Sequence, residues 1–241
     1  MLTGASTSVK LDSMNAEQTQ LDRRVALHAA LADATRLRIV DLLAVSDRSA
    51  SELGAALGAP SNLLAHHLRV LESAGVLTRR RSEGDRRRTY LSLADRGELL
   101  DRAGAGVADP GIHVSTVLFV CTANTARSHL AAAAWRAVSD VPASSAGTHP
   151  GAAIHPGAVA AAERHGLDLP DVAPRLLDEQ DRRHSLVVTV CDRAHEELAT
   201  DWAHWSIPDP VAAGGRRAFD EVVVSLADRT SSLARRVRLS S

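Results

Sequence analysis

Cys121 and Arg127 bracket a five-residue loop that lies between an apolar run and a stretch with helical spacing. A loop placed there points backbone N–H groups at an anion, and the N-terminus of the following helix adds partial positive charge. The same field favours the thiolate, so Cys121 is predicted to be a nucleophile near neutral pH. Arg127 is predicted to pair with two oxygens of a tetrahedral oxyanion. The predicted oxyanion-binding residues are Thr122, Ala123, Asn124, Thr125, Ala126, Arg127 and Ser128.

A second candidate catalytic residue is Asp209, which lies between Pro208 and Pro210. An acid held between two prolines sits in a rigid loop, which suits a general acid that protonates a leaving oxygen. The alternative is an ordinary proline-bounded turn with a solvated carboxylate. The Cys121–Arg127 loop upstream favours the catalytic interpretation.

Alternating strands and helices are predicted to position these side chains. Residues 115–120 and 186–190 are short apolar runs, and the first is rich in β-branched residues, as is typical of a strand buried on both faces. They alternate with helical stretches at 128–138, 158–165 and 219–237. This alternation predicts βαβ units and a parallel sheet.

The chain is predicted to divide into two domains. Its 241 residues are too many for one small module and fit either one large domain or two modest domains. Small residues with Gly and Pro near residues 101–114 have the composition of a linker. We therefore expect a flexible lead at 1–20, a first domain at 21–100 and a second domain at 115–241.

The first domain has the order of a helix-turn-helix followed by a wing. Helix 51–57, a turn at 58–61 and helix 62–73 precede a hairpin with strands at 76–81 and 86–91 and a turn at 82–85. Its segment Arg79–Arg88 holds six arginines and two acids. Arginines there suit contacts with phosphates or the minor groove. The alternative is a small helical domain with a solvated arginine loop. The predicted DNA-binding residues are Ser61, Asn62, Ala65, His66, Arg69, Arg86, Arg87 and Arg88.

The stretches LADATRLRIVDLL, LGAPSNLLAHHLRVLESAGVLTRRR and RRRTYLSL resemble the winged helix-turn-helix of the ArsR-type family of repressors. The resemblance implies an α+β domain, a homodimer formed with helix 21–31, and binding to double-stranded operator DNA. Arsenic-responsive members carry a Cys-x-Cys pair where this chain has Ser49 and Ser51, whose hydroxyls are poor ligands for soft metals. We therefore expect a DNA-binding domain without the metalloid switch, and no metal site.

The stretches VLFVCTANTARSHLAAAAW, SSAGTHPGAAIHPGAVAAAERHGLDL, VVTVCDRAHEEL and HWSIPDPV resemble the low-molecular-weight tyrosine phosphatases and the thiol-dependent arsenate reductases of the same fold. The resemblance implies an α/β domain with a four-stranded parallel sheet and flanking helices. Phosphatases usually have an aromatic residue after Asp-Pro, whereas this chain has Val211. Cys191 stands where the reductases keep a relay cysteine. The alternative for Cys191 is a buried structural cysteine that packs as a small hydrophobe.

The mechanism implied by the resemblance is attack of Cys121 on arsenate, loss of water assisted by Asp209, and attack of a second thiol on Cys121 that releases arsenite. Thioredoxin-coupled reductases have a third cysteine where this chain has Leu198. Either a Cys121–Cys191 disulfide is reduced directly, or a low-molecular-weight thiol resolves the arsenic adduct. We expect no bound cofactor, and an external thiol reductant such as thioredoxin or a low-molecular-weight thiol.

Three functions fit these observations. The chain is a DNA-binding regulator joined to an arsenate reductase, a regulator joined to a phosphatase acting on phosphotyrosine or phosphoarginine, or a regulator whose second half binds an oxyanion without turnover. The missing aromatic residue counts against the second function, and the intact Cys121, Arg127, Ser128 and Asp209 count against the third. No apolar run approaches the ~18–20 residues of a membrane helix, so we expect a cytoplasmic protein with no membrane partner.

Overall fold

The computed structural model describes residues 5–94, 96–97, 99, 112–199 and 203–240. Its buried apolar side chains form two hydrophobic cores, one in each half of the chain. The first core contains Ile39, Leu53 and Leu68, and the second contains Phe119 and Trp205. None of the helices within these ranges is both long enough and apolar enough to cross a membrane.

Up to residue 94, the first half contains four helices and a small antiparallel sheet. Asp33 caps the second helix by accepting a hydrogen bond from the backbone N of Arg36 at 2.9 Å, and Ser49 and Glu52 form a capping box at the third. Gly58 ends the third helix with φ at 60°, in the left-handed region that glycine adopts freely. The elements are α1 (Ala5–Leu31), α2 (Ala34–Val45), β1 (Arg48–Ser49), α3 (Ala50–Leu57), α4 (Ser61–Ser73), β2 (Leu77–Arg81) and β3 (Thr89–Leu93), with strand order β1-β3-β2.

The predicted helix-turn-helix and wing are confirmed, with two differences in where elements begin. Strand β3 begins at Thr89 and not at Arg86, so residues 82–88 form a longer connection, which we call the wing loop. Helix α1 begins at Ala5 and therefore includes much of the segment expected to be a flexible lead. The flexibility of that segment and the domain boundaries stay predictions.

The second half contains the predicted four-stranded parallel sheet, in the order β6-β5-β7-β8. All five residues of the inner strand β5 are buried, as expected of a strand between helices. A separate parallel pair, β4 with β9, joins the start of this half to its last strand. The elements are β4 (Ile112–Val114), β5 (Val117–Cys121), α5 (Arg127–Arg136), β6 (Ala143–Gly147), α6 (Pro156–Arg164), α7 (Glu179–His184), β7 (Leu186–Thr189), α8 (Asp192–Leu198), β8 (Ala203–His204), α9 (Pro210–Ala213), α10 (Gly215–Ala234) and β9 (Val237–Leu239).

A buried carboxylate joins the two halves. Asp47, just after α2, is fully buried and accepts hydrogen bonds from Arg229 Nη1 at 2.8 Å, Arg96 Nη2 at 3.2 Å and the backbone N of Ser206 at 2.9 Å. Its own backbone N donates to His204 O at 2.7 Å. Burial would raise the pKa of Asp47, but the charges of Arg229 and Arg96 outweigh it and hold the pKa below its ordinary value.

Candidate active site

The segment from Cys121 to Ser128 forms a loop at the carboxyl end of β5, and we call it the anion loop. Asn124 turns the loop with φ at 50° and ties it together, since its Nδ2 donates to Ser128 Oγ at 2.8 Å and to Ser145 Oγ at 3.0 Å. Its Oδ1 accepts from the backbone N of Arg175 at 2.9 Å. A non-glycine residue in the left-handed region needs such support, so the amide of Asn124 fixes the shape of the loop.

The sulfur of Cys121 sits inside the anion loop. It accepts a hydrogen bond from the backbone N of Asn124 at 3.2 Å and lies 3.1 Å from Ser128 Oγ. Only 3% of Cys121 is exposed. The N–H of Asn124 donates to the sulfur, and in the contact with Ser128 either atom can be the donor. The sulfur is thus held where the backbone of the loop turns around it.

The segment after β6 braces the loop from outside. The backbone N–H groups of His149 and His155 donate to the carbonyls of Thr122 and Thr125, each at 2.8 Å. A Cβ atom at Gly147 would lie 2.6 Å from Thr122 O, so glycine is required where β6 passes the loop. The loop is therefore held in shape by its neighbours before any anion binds.

Arg127 connects the anion loop to the segment that carries the candidate general acid. Its Nη1 donates to Ile207 O at 2.9 Å, and its Nη2 lies 3.4 Å from Asp209 Oδ2. The residue is 8% exposed; burial lowers its pKa, but the nearby Cys191, Asp209, Cys121 and Glu83 outweigh burial and raise the pKa overall. Arg127 therefore stays a cation beside the place where an oxyanion would bind.

Cys191 lies in the same site, at the end of β7. Its sulfur accepts from the backbone N of Thr122 at 3.2 Å and from that of Ala194 at 3.4 Å, and it lies 3.3 Å from Thr122 Oγ1. Burial, and then the charge of Cys121, raises the pKa of the Cys191 thiol. Both cysteines are free. Both sulfurs therefore lie at the start of the anion loop, Cys121 as its first residue and Cys191 against Thr122.

A cleft of about 450 Å³ opens above these groups. Its wall includes residues from the wing loop of the first half, which the sequence did not lead us to expect. The two acids that interrupt the arginine-rich segment could have indicated a contact with the second half. A wing loop is ordinarily solvated, however, so acids there do not by themselves predict such a contact. The lining comprises Ser82, Glu83, Arg86, Cys121, Thr122, Ala123, Thr125, Ala126, Arg127, Cys191, Arg193, Asp209, Val211 and Ala212.

The predicted DNA-binding residues fall into two groups. Those on α4, namely Ser61, Asn62, Ala65, His66 and Arg69, are all exposed on one helix. The wing arginines differ from one another: Arg86 lines the cleft, while exposed Arg87 pairs with Asp85. Ser49, at the position expected for a metalloid ligand, caps α3 with its hydroxyl.

A family model described as low molecular weight phosphotyrosine protein phosphatase matches residues 116–240, and one described as helix-turn-helix domain matches residues 31–80. Similar solved structures include an arsenate reductase from Archaeoglobus fulgidus, with 29% identity over 49% of this chain and 98% of that one and a TM-score of 0.42. Others are a low molecular weight protein tyrosine phosphatase from T. tengcongensis (23% identity, 49% and 96% covered, TM-score 0.44) and a YwlE mutant from Bacillus subtilis (22%, 50% and 96%, 0.45). No curated protein matches the chain.

Proposed function

Since the chain belongs to the low molecular weight phosphotyrosine protein phosphatase family through residues 116–240, we propose that it is a DNA-binding regulator fused to a thiol-dependent arsenate reductase. One observation carries this proposal: the Cys191 sulfur lies 3.2 Å from the backbone N of Thr122, next to the nucleophile Cys121. A phosphatase needs one cysteine, whereas reduction of arsenate needs two electrons, which two thiols supply as they form a disulfide.

In the first step Cys121 Sγ attacks arsenic. An As–S bond forms while an As–O bond breaks, and Asp209 supplies the proton with which the leaving hydroxide departs as water. Arsenic remains As(V) in this adduct. Arg127 and the N–H groups of the anion loop stabilise the charge on the remaining oxygens.

In the second step Cys191 attacks the Cys121 sulfur. An S–S bond forms and the electron pair of the S–As bond stays on arsenic, which leaves as As(III) in arsenite. Burial, and after it the charge of Cys121, raises the pKa of Cys191 before the reaction. The adduct removes that charge, which eases deprotonation of Cys191 when it must act. An external thiol, thioredoxin or a low-molecular-weight thiol, then reduces the disulfide.

Replacing Cys191 tests this assignment. We expect Cys191→Ser to lower arsenite production at least about 100-fold, because no second thiol remains in the site. This loss corresponds to an increase of about 2.7 kcal/mol in activation free energy. Hydrolysis of p-nitrophenyl phosphate should stay within about threefold, because that reaction uses Cys121, Arg127 and Asp209. Both rates are measured on the same full-length preparations. Unchanged arsenite production in the variant would contradict the role of Cys191.

A phosphatase acting on phosphotyrosine or phosphoarginine is the second candidate function. It is favoured by the anion loop and Asp209, which suit transfer of a phosphoryl group as well as attack on arsenate. Ester hydrolysis without arsenite production in the wild-type protein would select it. Binding of inorganic phosphate without ester hydrolysis and without arsenite production would select a regulator with a non-catalytic oxyanion site.

The DNA-binding half is tested through Arg69, which is exposed on α4. We expect Arg69→Ala to weaken binding of a DNA duplex about 10-fold at low salt, and to reduce the slope of log K against log salt by about one, if Arg69 contacts a phosphate. Arg217→Ala, at a surface arginine on α10 that pairs with Glu221, is the matched control. Equal affinities for both variants in gel-shift titrations would argue against α4 as the DNA-contacting helix. The oligomeric state is measured on the same preparations, to test whether the protein is a homodimer as proposed.

A further inference from the structure

Glu83, in the wing loop, contacts two parts of the active site with one carboxylate. Its Oε2 accepts a hydrogen bond from Arg127 Nη1 at 3.0 Å, and its Oε1 accepts one from the backbone N of Asp209 at 2.8 Å. The first half of the chain therefore supplies a group that binds both the guanidinium and the segment bearing the general acid.

Further contacts hold the wing loop in this position. The backbone N–H groups of Glu83 and Asp85 donate to Asp192 Oδ2 at 2.8 Å and to Glu196 Oε2 at 2.6 Å. A Cβ atom at Gly84 would collide with the Glu196 carboxylate, so glycine permits the close approach. The docked position of Glu83 is thus built by the backbone of the loop and by α8, not by Glu83 alone.

The contact with Arg127 leaves one edge of the guanidinium for a substrate. Nη1 carries the bonds to Ile207 O and to Glu83, and rotation of the group would break both. Bidentate pairing with an oxyanion uses the other edge, formed by Nε and Nη2, and Nη2 also lies 3.4 Å from Asp209 Oδ2. A carboxylate on Nη1 therefore orients the guanidinium without occupying the substrate's place.

We propose that Glu83 is a positioning residue of the active site. It fixes the plane of Arg127 and holds the Asp209 segment at the edge of the cleft, so the site is complete only while the wing loop is docked. The proposal rests on the proposed function, because it gives Glu83 a part in the chemistry of Cys121, Arg127 and Asp209.

Leaving-group dependence in the full-length protein tests the proposal. A general acid matters more for phenyl phosphate than for p-nitrophenyl phosphate, whose leaving group departs as a stable anion. We expect Glu83→Ala to lower kcat/KM about 30- to 100-fold for phenyl phosphate and about threefold for p-nitrophenyl phosphate. Glu83→Gln keeps one acceptor oxygen and should recover part of the loss. Asp85→Ala is the matched control, since that carboxylate pairs with Arg87 within the wing loop, and it should leave both values unchanged.

Amide hydrogen exchange gives a second readout that needs no turnover. The N–H of Asp209 donates to Glu83, and Pro208 and Pro210 have no amide hydrogen, so exchange in residues 207–211 reports Asp209 with few other amides. We expect faster exchange there in Glu83→Ala and unchanged exchange in Asp85→Ala.

Unchanged kcat/KM for both esters, faster turnover in Glu83→Ala, or unchanged exchange would each overturn the proposal. If the wild-type protein cleaves neither ester and makes no arsenite, the proposed function fails. The exchange measurement then decides by itself whether Glu83 holds the Asp209 segment.

Discussion

Replacing Cys121 with serine should abolish arsenite production and ester hydrolysis, with a loss of at least about 10⁴-fold. A serine hydroxyl is a much weaker nucleophile than a cysteine sulfur, so the variant lacks the attacking group. The shape of the anion loop should survive, because Asn124 and the bracing segment at 147–155 hold it through bonds that do not involve the sulfur. Turnover assays and calorimetric binding of inorganic phosphate are made on the same preparation.

The control for this variant is the other cysteine. Cys191→Ser makes the same chemical change one strand away, and it should keep ester hydrolysis. Wild-type rates in Cys121→Ser would place the nucleophile elsewhere. Loss of phosphate binding together with activity would indicate that the sulfur also maintains the loop, contrary to the bracing described above.

Replacing Asp47 with alanine should lower the free energy of unfolding by about 3–5 kcal/mol. The change leaves Arg96 and Arg229 as buried cations without their shared carboxylate, and it removes the acceptor for the backbone N of Ser206. Urea unfolding at neutral pH measures the loss. Asp41→Ala, which removes an exposed carboxylate from the same helix, should stay within about 0.5 kcal/mol.

The effect of Asp47 should depend on pH in a defined direction. Because its pKa is depressed in the folded protein, Asp47 contributes stability above the unfolded-state pKa of about 3.9, and this contribution is lost as pH falls through the folded-state value. The difference between wild type and Asp47→Ala should therefore be constant near neutral pH and shrink below about pH 4. A difference that grows on acidification would contradict the assigned charge.

The parts of the site that lie close together in sequence could be predicted. The Cys121–Ser128 loop follows from a buried strand and a helix that adjoin it. The order of helix, turn, helix and hairpin is likewise a local pattern. Periodicity and turn chemistry determine such features within a few residues.

The contacts between the two halves could not be predicted in this way. Glu83 and Arg127 are 44 residues apart, and Asp47 and Arg229 are 182 apart. Glu83 lies in a hairpin turn and Asp47 follows a helix, and acids at such positions are ordinarily solvated. Nothing in the sequence spacing shows that Asp47 becomes buried or that Glu83 contacts two parts of the site. The predicted start of β3 at residue 86 is wrong for a related reason. Contacts with α8, and not the arginines of the wing loop, determine the conformation of that loop.

Strands β4 and β9 are the first and last described strands of the second half, and they pair with each other. Ile112 lies opposite Val237 in that pair, and Ile112 N also donates to Arg236 O at 2.7 Å. Strand β9 therefore holds β4, the first described strand of the second half, in place. Trimming residues 237–239 would leave β4 without its parallel partner and expose the backbone groups that the pair satisfies.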